Sequence, residues 1–270
     1  HEVEVFFDAG RSSDGLLAEL RGWGPDVVGF SVLTPSRPWA IRTASRVRAE
    51  LGAVTVVGNV DAILNTEALA DSGAFDLVCT GEGEDCLREL CDALDAGRPW
   101  DRIAGFWCVR DGEVLRNPRR EDLVDMDALP LLDRDIYDKY RFFRSSKYLR
   151  VYAGRGCPFR CSFCSNTTMT DAFGGKRYFR KRSPAQFVDD IERLIVGRRR
   201  PVEYVFIIDE VRWFDLEWLR EFLPLYRDRI GLPFGMNFKF NGGITEDDVR
   251  LLAEARAMAS VAIETGDESL

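Results

Sequence analysis

Histidine is almost absent from this chain, with His1 the only one in 270 residues. That removes the usual nitrogen ligand of a structural zinc site. Long apolar runs are missing too. No stretch approaches the roughly 20 residues needed to cross a bilayer, so no membrane association is expected. Nothing resembles a secretory signal, and the expected compartment is the cytoplasm. Basic charge is not in excess: the formal net charge is -8, which argues against nucleic acid or other polyanions as general partners. Lys176 to Arg182 and Arg198 to Arg200 are nevertheless locally basic. We read these runs as solvated loop or helix-end faces, with a phosphate or RNA role as the alternative. The length and the 46% hydrophobic content suit two domains.

What the chain does have is Cys157-Pro158-Phe159-Arg160-Cys161-Ser162-Phe163-Cys164, directly after the apolar run Leu149 to Ala153. Thiolates are the usual ligands of iron-sulfur clusters. Three of them, with no fourth nearby, can hold three irons of a cubane and leave one open for chemistry. Zinc would need a fourth ligand, and the nearest other cysteine is Cys108. A disulfide would leave one thiol over and would suit an oxidising compartment. Cys79, Cys86, Cys91 and Cys108 are dispersed among expected strands and a helix, as reduced packing residues would be.

The spacing Cys157-x-x-x-Cys161-x-x-Cys164, with Phe163 just before the third cysteine, resembles the signature of the radical S-adenosylmethionine (SAM) superfamily. The resemblance implies a [4Fe-4S] cluster on the three cysteines whose open iron chelates SAM. It also implies an external electron donor such as flavodoxin or ferredoxin, and cleavage of SAM to a 5'-deoxyadenosyl radical. By the same resemblance, Phe163 lies beside the adenine, with its main chain as the contact.

Ahead of this motif, short β-rich runs alternate with amphipathic helices, the pattern of a parallel sheet covered on both faces. Val3 to Phe7, Val27 to Val32, Val54 to Val57 and Leu77 to Thr80 read as strands. Ala40, Ala44, Val47 and Leu51 form one helical stripe, and Leu87, Leu90, Cys91 and Leu94 another, both expected to face the core. Ligands of open α/β sheets gather beyond the carboxyl ends of strands, which selects Ser31, Leu33 and Thr34, then Gly58-Asn59, then Thr80-Gly81-Glu82-Gly83-Glu84. The glycines there would serve tight turns equally well.

In order, these segments resemble the cobalamin-binding domain that precedes the radical domain in one large radical SAM subfamily. The resemblance implies cobalamin contacts from Ser31, Leu33, Thr34, Gly58, Asn59, Gly81, Glu82 and Gly83. Asn59 stands where the subfamily usually has a second adjacent glycine, so it could crowd the cofactor. No internal histidine exists to ligate cobalt from below, which favours four-coordinate reduced cobalt and fits methyl transfer.

Phe106 to Arg110, Asp111-Gly112 and Glu113 to Leu115 predict a hairpin. Asn117 to Ser146 is charged and aromatic, and reads as a partly helical linker. From Leu149 the alternation restarts, with strands expected over Leu149 to Ala153, Tyr204 to Ile208, Phe234 to Phe240 and Ser260 to Ile263. Ser183-Pro184-Ala185-Gln186 predicts a capping box ahead of a helix with Phe187, Ile191, Leu194 and Ile195 inward. Thr245 is expected to cap a helix carrying Val249 and Leu252.

The expected fold class is thus α/β. Residues 1–116 form a Rossmann-like cobalamin-binding domain, 117–146 a linker and 147–270 part of a β/α radical SAM barrel, the fold the resemblance also implies. Four strand-helix units cannot close a barrel, so both chain ends are expected to be missing. Asp209 and Glu210, at the end of the second barrel strand, can meet the SAM ammonium, or cap the helix around Trp218 instead. Glu264-Thr265-Gly266 resembles the segment whose acid reaches a ribose hydroxyl. Asn237 and Lys239 can face the barrel interior, with a surface salt bridge the plainer role for Lys239.

The expected function is cobalamin-dependent radical SAM methylation of an unactivated carbon in a small metabolite or natural product. The nearest alternative is a rearrangement or oxidative cyclisation on the same domains. The alternative of another class is a non-catalytic cobalamin or iron-sulfur binder.

Overall fold

Strand residues that alternate between two faces organise the first sheet. The computed structural model describes residues 1–7, 13–198, 200–209, 215–238 and 243–261. In chain order its first elements are α1 (Ser13–Trp23), β1 (Val27–Ser31), α2 (Arg37–Leu51), β2 (Val54–Gly58), α3 (Val60–Leu64), α4 (Thr66–Asp71), β3 (Leu77–Cys79), α5 (Glu84–Asp95), β4 (Phe106–Arg110) and β5 (Glu113–Arg116). The sheet order is β1-β2-β3-β4-β5, parallel through β3 and antiparallel after it. Val57, Val78 and Val109 pack on one face against Leu17 of α1, Ala44 and Val47 of α2 and Leu69 of α4. Their chain neighbours Val56, Leu77 and Cys108 pack on the other against Cys86 and Leu90 of α5. Burial on both faces follows from the period of two.

The hairpin β4–β5 turns at Asp111 (φ 53°) and Gly112 (φ 80°), the paired left-handed conformation of a two-residue primed turn. Residues 3–7, expected as a strand, lie outside the sheet. Val3 and Phe7 are exposed, and Phe6 places its ring edge-on against Trp23 of α1 instead. The α5 stripe is rotated relative to expectation: Cys86, Leu90 and Ala93 are buried, whereas Leu87 is exposed.

The chain continues through α6 (Arg141–Arg144), β6 (Tyr148–Val151), β7 (Gly154–Arg155), α7 (Ser165–Ala172), β8 (Arg180–Lys181), α8 (Pro184–Val196), β9 (Tyr204–Ile207), α9 (Leu216–Arg229), β10 (Phe234–Phe238), α10 (Glu246–Glu254) and β11 (Ala257–Val261). β6, β9, β10 and β11 form a wholly parallel sheet in sequential order. Leu149, Val151, Val205, Ile207, Phe234 and Met236 pack against Phe187, Ile191, Trp218, Phe222 and Tyr226 of α8 and α9. Right-handed crossovers between strands taken in sequence put the helices on one side, as in an arc of a β/α barrel.

Ser183 caps α8, accepting from the Gln186 N–H at 3.4 Å, while the Gln186 side chain turns to Asp190 rather than closing the box. Thr245 and Asp248 form the full reciprocal box at α10. Asp248 also receives the Arg220 guanidinium and is buried, while the next residue, Val249, is exposed. β11 begins at Ala257, three residues before the expected start, because its register pairs Phe234 with Ala257. The expected end of that strand at Ile263 lies outside the described residues.

Contacts divide the chain into two units, one of His1–Val124 with Phe163–Gly175, the other of Asp125–Ser162 with Lys176–Leu270. No helix among the described residues is long and apolar enough to cross a membrane.

Candidate functional site

The cysteine segment leaves the second unit's sheet at the carboxyl end of β6, where barrel proteins carry their chemistry. β7 and β8 pair antiparallel to close its stem, and the Arg182 N–H reaches the Ala153 carbonyl at 2.7 Å. The stem is anchored by Asp209, 1% exposed at the carboxyl end of β9. Its two oxygens accept the N–H groups of Ala153 at 2.9 Å and Gly154 at 2.8 Å. Asn237, on β10, donates to the Asp209 carbonyl at 2.9 Å and holds the carboxylate's own backbone.

Gly156, immediately before the first cysteine, has φ 82°, and a β-carbon there would sit 2.8 Å from the Tyr178 ring and 3.0 Å from its carbonyl. Only glycine fits this crossing. Cys157 is buried, Cys161 and Cys164 are half-buried, and none of the seven cysteines is in a disulfide. Cys164 is the N-cap of α7 in extended conformation, and Phe163 before it is 72% exposed. The segment therefore carries three reduced thiols within eight residues, Cys157 and Cys161 in the second unit and Cys164 in the first, residue types suited to iron-sulfur ligation. Among the described residues no three His, Cys, Asp or Glu side chains gather as ligands of a single ion.

In the first unit the loops after β1 and β2 are tied by Asp61, fully buried at the start of α3. The Arg37 fork reaches it with both nitrogens at 2.7 Å, the Thr34 hydroxyl donates at 2.7 Å and the Asn65 amide at 2.8 Å. The Arg37 hydrogen bonds, outweighing burial, hold its carboxyl below the usual carboxylate range. Asn59 adopts φ 77°, ψ -171°, a region favoured by glycine. Its side chain makes the position useful: Oδ1 accepts the Val60 N–H at 2.7 Å and Nδ2 donates to Ser31 Oγ at 2.9 Å. Leu33 projects into solvent.

After β3, Thr80 is buried and donates to the Gly105 carbonyl at 3.1 Å, and Glu82 accepts the Val124 N–H at 3.0 Å. Beyond Gly81 lies Arg119, whose guanidinium bonds the Ala172 carbonyl and stands 5.3 Å from the Phe173 ring. A cavity of about 590 Å³ opens beside it, lined by Asn65, Thr66, Thr80, Trp107 and Arg119. Arg119 Nε is buried without a hydrogen-bond partner. Sequence patterning missed Arg37, Asp61 and Arg119, because a charge whose partner lies across a fold has no local signature. Glu210, Lys239 and Glu264 lie outside the described residues.

Two loop systems at strand carboxyl ends, one leading into the three thiols, mark this α/β protein. Residues 151–270 match the Radical SAM superfamily, so the chain contains a radical SAM domain, which implies a [4Fe-4S] cluster and SAM. It is 28% identical, over 98% of its length, to the anaerobic magnesium-protoporphyrin IX monomethyl ester cyclase of Rubrivivax gelatinosus, covering 48% of that protein. It is 26% identical, over 86% of its length, to the cytidylyl-2-hydroxyethylphosphonate methyltransferase of Streptomyces wedmorensis, covering 48% of it. The fold resembles that of the cobalamin-dependent SAM radical enzyme OxsB in complex with aqua-cobalamin and SAM, with TM-score 0.70 and 21% identity over 95% of this chain and 38% of that one. The chain spans about half the length of the curated relatives it matches.

Proposed function

We propose that this chain is the cobalamin-binding and radical-generating portion of a radical SAM enzyme that methylates an unactivated carbon of a small metabolite or natural product. The observation that carries the reading is the trio Cys157, Cys161 and Cys164 on an anchored loop at a strand's carboxyl end, within the segment matched by the superfamily. These thiolates would hold the cluster. Asp209 fixes the loop's stem, and the exposed Phe163 offers its main chain to the adenine. Glu210 would take the SAM ammonium and Glu264 a ribose hydroxyl.

In the first unit, Ser31, Leu33, Thr34, Gly58, Asn59, Gly81, Glu82 and Gly83 would line a Rossmann-like cobalamin cradle, held in shape by the Asp61–Arg37 pair. Arg119 supplies a cation suited to the phosphodiester of the cobalamin tail. When bound, the cluster and SAM supply a hydrogen-abstracting radical, and cobalamin supplies the methyl group. The protein is proposed to work in the cytoplasm with an external electron donor such as flavodoxin or ferredoxin.

Anaerobic purification followed by assay of iron, sulfide and cobalt per chain tests both cofactor assignments. Incubation with SAM and reductant then separates the chemistries. S-adenosylhomocysteine beside 5'-deoxyadenosine supports methyl transfer. 5'-Deoxyadenosine alone supports the cyclisation reading that the magnesium-protoporphyrin relative suggests. Cobalt binding without SAM cleavage would leave only a cobalamin binder.

A further inference from the structure

The basic run Arg198 to Arg200 has no part in the chemistry proposed above, yet two of its residues line a cavity in the second unit. This cavity, about 230 Å³, lies between residues 131–144 and the carboxyl-terminal end of α8. Arg134, Arg144, Arg193, Arg198 and Arg200 line it, together with Asp133, Asp135 and Asp138. Five cations thus face three carboxylates. Ser146, which precedes β6, receives a hydrogen bond from Arg198, placing the cavity toward the amino end of the sheet. The cysteine loop leaves from the other end of β6.

Two of the cations are half-buried, and each uses part of its fork on a main-chain carbonyl. Arg134 donates to the Arg150 carbonyl at 2.7 Å, and Arg198 to the Ser146 carbonyl at 3.0 Å. A guanidinium has five donors, so most of each fork remains to be used. Arg134 Nε is buried without a hydrogen-bond partner. Burial holds the Arg134 guanidinium below its ordinary value, and the nearby Arg198 charge acts in the same direction. Keeping two like charges this close, with a buried donor unsatisfied, costs free energy that an anion between them would recover. Tetrahedral oxyanions match the planar guanidinium fork, and the volume suits a phosphate or diphosphate group rather than a nucleic acid strand.

We propose that this arginine-lined cavity binds a phosphate or diphosphate group of a small metabolite, at a site separate from the cysteine loop. Arg134 and Arg198 grip the oxyanion from the base, while Arg144, Arg193 and Arg200 draw it in from the rim. Asp133 and Asp135, exposed at the same rim, disfavour longer polyanions.

Isothermal titration of the full chain with inorganic phosphate and with pyrophosphate, at constant ionic strength, reads the site directly and needs no loaded cofactor. One saturable site per chain is expected, tighter for pyrophosphate. Arg198→Met should weaken it roughly tenfold or more, as loss of a charge-assisted pair does. Arg134→Lys, which keeps the charge and loses the fork, should weaken it less. Arg88→Met, on α5 of the other unit, should leave it unchanged, and circular dichroism melts check that each variant folds. Absence of saturable heat with either anion overturns the proposal, as does equal weakening by Arg88→Met. Tighter binding of a single-stranded RNA that displaces pyrophosphate would assign the cavity to a polyanion surface instead. Because the readout is anion binding toward the amino end of the second unit's sheet, it stands or falls independently of SAM cleavage.

Discussion

Asp61 and Asp209 are both buried carboxylates that rivet loops at the carboxyl ends of parallel strands, yet their partners differ. Asp61 is met by a guanidinium fork, a hydroxyl and an amide, all side chains. Asp209 is met by two consecutive main-chain N–H groups, and its own carbonyl by Asn237. A side-chain network fixes several loops to one another and ties them to the charge state of its members. A pair of backbone amides fixes one chain path, and does so whatever side chains follow. The first device suits a cradle built from several loops, the second a single loop that must present three thiols in order.

The largest effect that separates the two regions should come from the thiols. Replacing Cys157, Cys161 or Cys164 by Ala should abolish cluster retention and SAM cleavage, read as iron per chain and as 5'-deoxyadenosine, while the cobalamin binding proposed for the first unit persists. Loss of cobalamin binding in these variants would break the division of labour. Next comes Asp61→Ala, which strands the partly buried Arg37 and should destabilise the first unit by about 3 kcal/mol. Hydrogen exchange should then rise in α3 and remain unchanged in α8.

Asp209→Asn keeps one acceptor but turns an amide N–H toward the second backbone donor. About 1–3 kcal/mol should be lost locally, with exchange rising at Ala153 and Gly154 and iron retention falling. Acid should act on the first unit through Asp61. Its folded carboxyl titrates below the unfolded one, so the unfolded state binds more protons in acid and stability rises with pH. The contribution is complete above the ordinary carboxylate value near pH ~4, and is lost as pH falls through the depressed folded value. Thermal melts between pH 3 and 7 should therefore show a steeper acid loss in the native protein than in Asp61→Asn. The smallest effect belongs to Asn59→Gly: relief of a strained φ opposes the lost Val60 and Ser31 hydrogen bonds, so stability should move by no more than about 1 kcal/mol. Tighter cobalamin binding in this variant would show that the Asn59 side chain crowds the cofactor.

Much of the fold was readable because its causes are local. Asp111-Gly112 accepts two left-handed residues in succession, and Thr245 with Asp248 closes a box within one turn. The cysteine spacing is equally local, and it is what singled out the candidate site. The strand expected over residues 3–7 failed because a strand needs a neighbour, and Phe6 packs on Trp23 instead. The burial of Asp248 was not readable, because Arg220, which holds it, comes from another helix.

The sequence by itself determined the thiol trio, the two runs of strand-helix alternation and most turns and caps, since each depends on residues within a few positions of one another. Only the tertiary structure decided that Asp209 anchors the cysteine loop, that Asp61 and Arg37 lock the first unit's loops, and that Arg119 borders a cavity. These pairs join residues 24 to 56 positions apart in the chain, and apposition at that range is created by packing rather than encoded in any short pattern.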